Sequence, residues 1–321
     1  MTGRLERVLG IDRPVLLAGM GGVAGPELAV AVAAAGGLGV VGGYKAGGPA
    51  LAALLDPLVD RTDGPIGVNL IPEVVPDRLL DEQLDHILLR TPGRLLVTTF
   101  GPVPERMARR LTDAGRTLVA QVGTVADAVA LRDTADVIVL QGTEAGGHLL
   151  GTARTRSLVR RTRTALPDAV LVAAGGVAGA ADAAAMAAAG ADGVCCGTAF
   201  VATAEANAHE LFKERVLAAS AGDTTVTRVF EIGWPGRRHR VLRGPVTENP
   251  AAFTRSFIGE TTVGGVRHPV CRFSAAVPTR FTEGRVREMA MYAGTSCDRV
   301  TAIRPAAEVV AGLAGVLEEV R

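Results

Sequence analysis

The feature that most narrows the fold of this chain is a repeated alternation of short, apolar, β-branched runs with stretches whose apolar residues recur at helical spacing. Strands are expected at 14–18, 38–41, 66–70, 95–99, 117–122, 137–140, 169–173 and 193–196. Helices follow at 26–35, 49–58, 77–89, 104–114, 127–132, 154–166 and 180–189. The runs are too continuously apolar for strands with one wet face, so they belong to a parallel sheet covered on both sides. Eight such units at spacings of about 20 to 35 residues favour an α/β fold of the closed (β/α)8, TIM-barrel type over an open doubly wound sheet. After 203 the pattern changes. A charged amphipathic helix is expected over 204–219, then a polar stretch broken by proline and glycine, then a region richer in aromatics without a further β/α unit. The chain therefore divides into a barrel made of 1–204 with 285–321, and a smaller insertion, 205–284. The insertion is expected to cover the carboxyl end of the barrel, where sites lie in this architecture, and 285–321 to return to helical periodicity as a closing helix.

With 321 residues, 48% of them hydrophobic, the chain can bury a large single core. Lys+Arg 34 against Asp+Glu 33 leaves no field that would gather a polyanion, so no nucleic-acid partner is expected. The basic run RTRSLVRRTR at 154–163 reads as a solvated helix face or a site for an acidic partner. Cys195, Cys196, Cys271 and Cys297 form no CxxC pair and no zinc spacing, which suits reduced thiols in a cytoplasmic protein. The amino terminus MTGRLERVLG has no apolar core of a secretory signal. The apolar stretch 28–43 is shorter than the ~20 residues of a membrane span and rich in glycine, so no membrane partner is expected.

Two stretches carry polar groups to strand ends. In VIVLQGTEAGGHLLGT, 137–152, a buried strand runs into a glycine turn bearing Gln141, Glu144 and His148. Gly146 and Gly147 let a flat ligand approach the backbone, and His148 can exchange a proton near neutral pH; a plain glycine turn followed by a surface histidine reads equally well from these residues alone. In AAGGVAGAADAAAMAAAGADGVCCGTAF, 173–200, Gly175 and Gly176 leave the seventh strand and Gly197 and Thr198 leave the eighth. Free backbone N–H groups at those two adjacent turns suit a phosphate monoester. The alternative is that the glycines only let an alanine-rich helix pack closely.

The segments LLAGMGGVAGPELAVAVAAAGGLGVVGG, GVNL, QGTEAGGH, AAGGV, GTAFVATAEANAH, GWPGRRHRVLR and YAGTSCDRV together resemble the nitronate monooxygenase family, formerly called 2-nitropropane dioxygenases, over nearly the whole chain. The resemblance implies a barrel that binds FMN. It implies that Ala18, Gly19, Met20 and Gly21 lie against the isoalloxazine and that Asn69 and Gln141 hydrogen-bond it. Gly146, Gly175, Gly176, Cys195, Cys196, Gly197 and Thr198 would line the ribityl phosphate arm, and His148 matches the catalytic base. Two departures stand out. Many members read AGQ near the carboxyl terminus where this chain has Ala293-Gly294-Thr295-Ser296, and the opening turn is AGMGG in place of the commoner form with proline.

The implied reaction is oxidation of a small nitronate or nitroalkane with dioxygen, His148 removing the proton next to the nitro group while the cofactor carries the redox step. The alternative is an NAD(P)H-dependent FMN reductase resembling enoyl-ACP or quinone reductases, which share the EAGGH turn; a non-catalytic flavin carrier is a third reading. Glu144 either orients His148 or anchors the turn, the anchoring role being preferred. Trp234 and Tyr292 either wall the substrate pocket or pack in the core. His86, His209, His239 and His268 have no metal spacing and are assigned surface or lid roles, and Cys195 and Cys196 have no neighbours that would activate a thiolate. No motif in 205–284 names the substrate, and none sets the oligomeric state.

Overall fold

In a computed structural model, described over residues 3–59, 61–90, 94–263 and 266–319, the eight expected strands form one sheet of parallel neighbours. They are β1 (Val15–Leu17), β2 (Gly39–Gly42), β3 (Ile66–Leu70), β4 (Leu95–Phe100), β5 (Leu118–Val122), β6 (Val137–Gln141), β7 (Leu171–Ala174) and β8 (Gly193–Cys196). The order is β1-β8-β7-β6-β5-β4-β3-β2. The two ends meet where Leu17 N donates to Leu38 O and Leu38 N to Val15 O, both at 2.9 Å, so the sheet curls into a nearly closed barrel with helices around it. Valine, leucine and isoleucine dominate these strands and are buried on both faces, as the unbroken apolar runs require.

The expected helices form with their ends within two residues of expectation, from Pro26–Ala34 to Ala180–Ala187; 49–58 is extended to Gly48–Val59, and 127–132 starts earlier, as Val125–Ala130. The last helix, Ala306–Glu319, packs against both of these helices. Its amino terminus is capped at a distance: the Glu205 carboxylate accepts from Ala306 N at 3.1 and 3.0 Å, supplying an acceptor that the chain before Ala306 lacks.

Two segments differ from expectation. Helix Glu210–Leu217 begins six residues later than the sequence pattern suggests, because the His209 ring accepts from Leu211 N and so caps it. The preceding residues are drawn onto the barrel, with Ala204 N bonded to Arg304 O and Asn207 N to Val23 O. Residues 285–305 are not helical apart from the short 3-10 turns Val286–Glu288 and Thr295–Arg299. Beyond those turns, Met291 O accepts from Leu242 N, Gly294 N donates to Thr198 Oγ1 and Thr295 N to Glu144 O.

The region 205–284 contains two small antiparallel sheets. In one, Thr224–Thr227 pairs with His239–Leu242, which in turn pairs with Gly147–His148. In the other, Phe257–Val263 pairs with Val266–Cys271 and Glu283–Gly284. Ala206, Ala208, Phe212 and Val216 join the main barrel core, whereas Phe230, Val241 and Val246 form a separate cluster with Ala290. No helix among the described residues is long and apolar enough to cross a membrane.

Candidate active site

Strand β6 delivers the site by folding back on its own amide. Gln141 Nε2 donates to His148 O at 2.9 Å and Gln141 Oε1 accepts from Leu150 N at 2.9 Å. Both ends of this side chain hold the turn, which returns His148 over the barrel mouth as the edge partner of His239. Glu144 anchors the same turn: Oε2 accepts from Thr155 N and Oγ1 at 2.9 and 3.0 Å, and Oε1 from Arg154 Nε at 3.0 Å. The carboxylate thus binds at the start of helix Thr155–Ala165, where no side chain of the N-cap residue does so and where negative charge is stabilised.

His148 is only 7% exposed. Its ring lies parallel to the Trp234 indole at 3.8 Å between centroids, with His239 at 5.2 Å and Tyr292 at 5.4 Å. Nε2 is buried and has no hydrogen-bond partner. Burial first, then the positive fields of His239 and Arg237, pushes the imidazole pKa down to about 3, so the ring is neutral throughout the physiological range. His239, expected in a surface or lid role, is wholly buried beside it. His209 is the helix cap already described, and His268 sits exposed on the hairpin.

Around the imidazole lie residues that the sequence reading missed. Glu73, in the turn Pro72–Val74 after β3, accepts from Trp234 Nε1 at 2.9 Å and from Arg237 Nε at 3.0 Å, and its second oxygen accepts from the other edge of the same guanidinium. Tyr44 Oη and Lys45 Nζ donate to Gly233 O at 3.2 and 3.1 Å. Phe100, at the end of β4, meets the Trp234 ring edge-on at 5.3 Å. Every one of these contacts joins positions far apart in the chain, so no local motif records them.

The glycine-rich turns form a continuous rim. A Cβ built on Gly19 would stand 2.5 Å from Asn69 Cγ, one on Gly197 3.3 Å from Met20 Sδ and 3.5 Å from Ala18 Cβ, and one on Gly42 3.3 Å from Gly21 Cα. Thr198 Oγ1 accepts from Gly294 N at 2.9 Å, and Glu144 O accepts from Thr295 N at 3.0 Å. A Cβ on Gly146 would fall 2.6 Å from Ala293 C, and one on Gly175 2.7 Å from Ala145 N. The expected residues from Ala18 to Gly21, with Asn69, Gly146, Gly175, Gly176, Gly197 and Thr198, therefore share one mouth. The segment 292–295 bridges them to the imidazole, with Tyr292 at His148 and Gly294 at Thr198. Cys195 and Cys196 lie inside β8, buried, with both thiols raised by burial, Cys195 to about 12; they remain protonated and apolar in character.

This rim fits a phosphate-bearing cofactor. The backbone N–H groups of Gly175, Gly176, Gly197 and Thr198 have no acceptor among the described residues, so they are free to donate to an anion. Thr98 Oγ1 donates to Asn69 Oδ1 at 2.9 Å, which assigns the other end of the amide, the NH2, as a donor. No group of three or more His, Cys, Asp or Glu among the described residues could hold a metal.

A barrel whose mouth joins an anion cradle to a neutral, desolvated imidazole is the layout of a flavin-dependent oxidoreductase, and comparison with known proteins supports that class. The chain belongs to the nitronate monooxygenase family, whose model matches residues 3–315. Among curated relatives it is 34% identical over 241 residues to the (3aS,4S,5R,7aS)-5-hydroxy-7a-methyl-1-oxo-octahydro-1H-indene-4-carboxyl-CoA dehydrogenase of Rhodococcus jostii, covering 74% of this chain and 65% of that one. Among solved structures, FabK (M276A) from Thermotoga maritima superposes with a TM-score of 0.81 at 28% identity, covering 100% of this chain and 97% of that chain. The nitroalkane oxidase from Streptomyces ansochromogenes gives 0.78 at 27% identity, covering 98% and 99%.

Proposed function

We propose that this chain is an FMN-dependent oxidoreductase that oxidises a small nitronate, or the nitroalkane from which it derives, with dioxygen as electron acceptor and His148 as base. The observation that carries this reading is the buried His148 Nε2, unpartnered and held neutral. The cradle at Gly175, Gly176, Gly197 and Thr198 would hold the FMN phosphate, residues 18–21 would face its ring, and the Asn69 amide would donate to it. Gly146 would line the arm, whereas Gln141 serves the turn. Bound flavin supplies the two-electron and oxygen chemistry. The barrel, 1–204 with 285–321, provides the cofactor body; 205–284 provides the cover. The free thiols Cys195, Cys196, Cys271 and Cys297 support a cytoplasmic setting.

The chain's own part is to exclude water and to manage one proton. A base whose conjugate acid titrates near 3 has its lone pair always free but a weak thermodynamic pull on a carbon-bound proton. A nitronate arrives without that proton. Its negative charge next to the ring would raise the imidazole pKa, so that Nε2 becomes a donor to the nitro oxygens. The site therefore suits the nitronate better than the neutral nitroalkane.

The test is to record the visible spectrum of the purified protein and then follow anaerobic bleaching by propionate 3-nitronate, 2-nitropropane and NADH side by side. A yellow protein bleached fastest by the nitronate is the expected result. His148→Asn should lower kcat/KM for the nitroalkane by ~100-fold or more and for the nitronate by less. Bleaching by NADH alone would establish the rival reading, an NAD(P)H-dependent flavin reductase. Two observations favour that rival: the full-length match to FabK, and the cations Lys45 and Arg238, which donate to Gly233 O and Gly151 O and have no carboxylate partner among the described residues.

A further inference from the structure

We propose that Trp234 is a hinged gate on the route to His148 and sets the size of substrate admitted, and that the Glu73 carboxylate is its latch. The proposal takes the reading of His148 as the reacting base as its starting point. His148 Nε2 meets neither solvent nor a partner, so a molecule from outside reaches it only if a wall of the pocket moves. Three walls are fixed by the fold. Phe100 ends β4, His239 is paired in its sheet, and Tyr292 is half-buried with its hydroxyl tied to Ala275 O at 3.1 Å.

Trp234 is held differently. The chain is anchored on one side at Ile232, whose N–H donates to Phe273 O at 3.0 Å, and on the other at Arg238, whose carbonyl accepts from Leu149 N at 2.8 Å. Between these points the sequence is Gly-Trp-Pro-Gly-Arg, and among the described residues its only backbone–backbone bond is the local one from Trp234 N to Glu231 O at 3.1 Å. The other hydrogen bonds come from side chains: Tyr44 and Lys45 on Gly233 O, Glu73 on Trp234 and Arg237, and the His239 ring on Arg237 O. Gly233 and Gly236 bracket the Trp-Pro pair with φ of +95° and +79°, and a Cβ on Gly236 would meet nothing within 4 Å. Glycines with positive φ at both ends of an exposed segment are suited to absorb the dihedral change of a hinge. One carboxylate receives both the indole N–H and the guanidinium, so its charge governs the closed state. Swinging outward, the indole would uncover the imidazole face that it now stacks upon, and the volume it vacates is the volume open to a substrate chain.

The chain contains a single tryptophan, so intrinsic fluorescence of the flavin-loaded protein reports on Trp234 alone. Glu73→Gln should raise the acrylamide quenching constant at least about threefold and shift the emission to the red, since loss of a charge-assisted pair moves such an equilibrium about tenfold or more. Arg237→Gln should do the same through the other half of the latch, which guards against a folding defect peculiar to one variant. With nitronates of increasing chain length, Trp234→Ala should flatten the wild-type fall in kcat/KM, gaining most on the longest. Unchanged quenching and emission in both latch variants, with wild-type circular dichroism, would overturn the gate, as would an unaltered chain-length profile in Trp234→Ala. If no nitronate is turned over, the fluorescence measurements still decide the gate, so its failure and that of the nitronate reading are separable.

Discussion

Gly175→Ala is the most informative single substitution in the cofactor cradle, with Gly179→Ala, four residues on, as its control. Gly175 leaves β7 with φ +101°, and a Cβ there would stand 2.7 Å from Ala145 N, 2.9 Å from Ala145 Cβ and 3.0 Å from Ala145 Cα. Two of these neighbours are backbone, so no rotamer change relieves the contact. Nor can the Ala145 backbone yield easily. Its N–H donates to Gly142 O at 3.1 Å, and the next residue, Gly146, already lies so close to 293–294 that a Cβ on it would be 2.6 Å from Ala293 C. The dihedral strain alone costs about 1–3 kcal/mol, and overpacking adds about 1–3 kcal/mol. We therefore expect a loss of about 2–6 kcal/mol. Gly179 has φ −148° and no atom within 4 Å of an added Cβ; Gly179→Ala changes only an N-cap preference worth under about 1 kcal/mol.

Denaturant titration at constant m gives both stabilities, and quenching of FMN emission on binding gives the affinities. Because the turn at 175–176 must shift outward to relieve the contact, FMN affinity should fall about tenfold or more in Gly175→Ala, by analogy with other displaced binding groups, and stay near wild type in Gly179→Ala. A Gly175→Ala protein within about 0.5 kcal/mol of wild type that retains FMN would refute the reasoning, since the strain range leaves no room for so small an effect. Equal damage in both variants would refute it as well.

Acid titration tests the state of the imidazole. The folded-state pKa of His148, near 3, is below its unfolded value, so between about pH 3 and 6.5 the unfolded chain binds the extra proton. Stability should rise with pH across that window, by at most about 1.4 kcal/mol per unit from this group, and be flat in it above. Burial depresses His239 in the same direction; a His148→Phe protein should therefore show a shallower but not level profile, and an identical slope would exclude a depressed His148. Glu144→Ala should cost about 1–3 kcal/mol by leaving Thr155 N, at the start of its helix, without its acceptor. It should also loosen FMN, because the Glu144 carboxylate anchors the turn whose backbone carbonyl holds Thr295 N; unchanged stability in a thermal melt would show the cap to be dispensable.

The barrel was legible because its signal is local. Each strand is an unbroken apolar run and each helix has its own periodicity, so 66–70 and 193–196 coincide with the strands Ile66–Leu70 and Gly193–Cys196. The failures fall where long-range bonds override local preference. Residues 204–209 carry alanine and glutamate suited to a helix, yet Glu205 instead caps Ala306, 101 positions away. Residues 285–305 read as part of the closing helix, but Gly294 N bonds to Thr198 and Thr295 N to the Glu144 carbonyl, leaving the chain draped over the barrel mouth. His239 was assigned a surface or lid role because a lone histidine in a polar stretch has no periodicity to mark it as buried.

The two halves of the site differ in the same way. The cradle is made of backbone, and backbone approaches leave a mark in the sequence, since only glycine tolerates a Cβ-free contact such as that of Gly175 with Ala145. The pocket around His148 is made of side chains from β4, from the turns after β2 and β3, and from 230–240, joined by bonds such as Trp234 to Glu73 across 161 positions. Nothing in EAGGH reports on that assembly. Barrels with the same cradle and histidine turn can therefore admit different molecules by changing only the residues that stack on the imidazole and the carboxylate that holds them. In this chain, substrate choice should follow mutations at Glu73, Trp234 and Arg237, while flavin retention follows mutations at Glu144, Gly175 and Thr198.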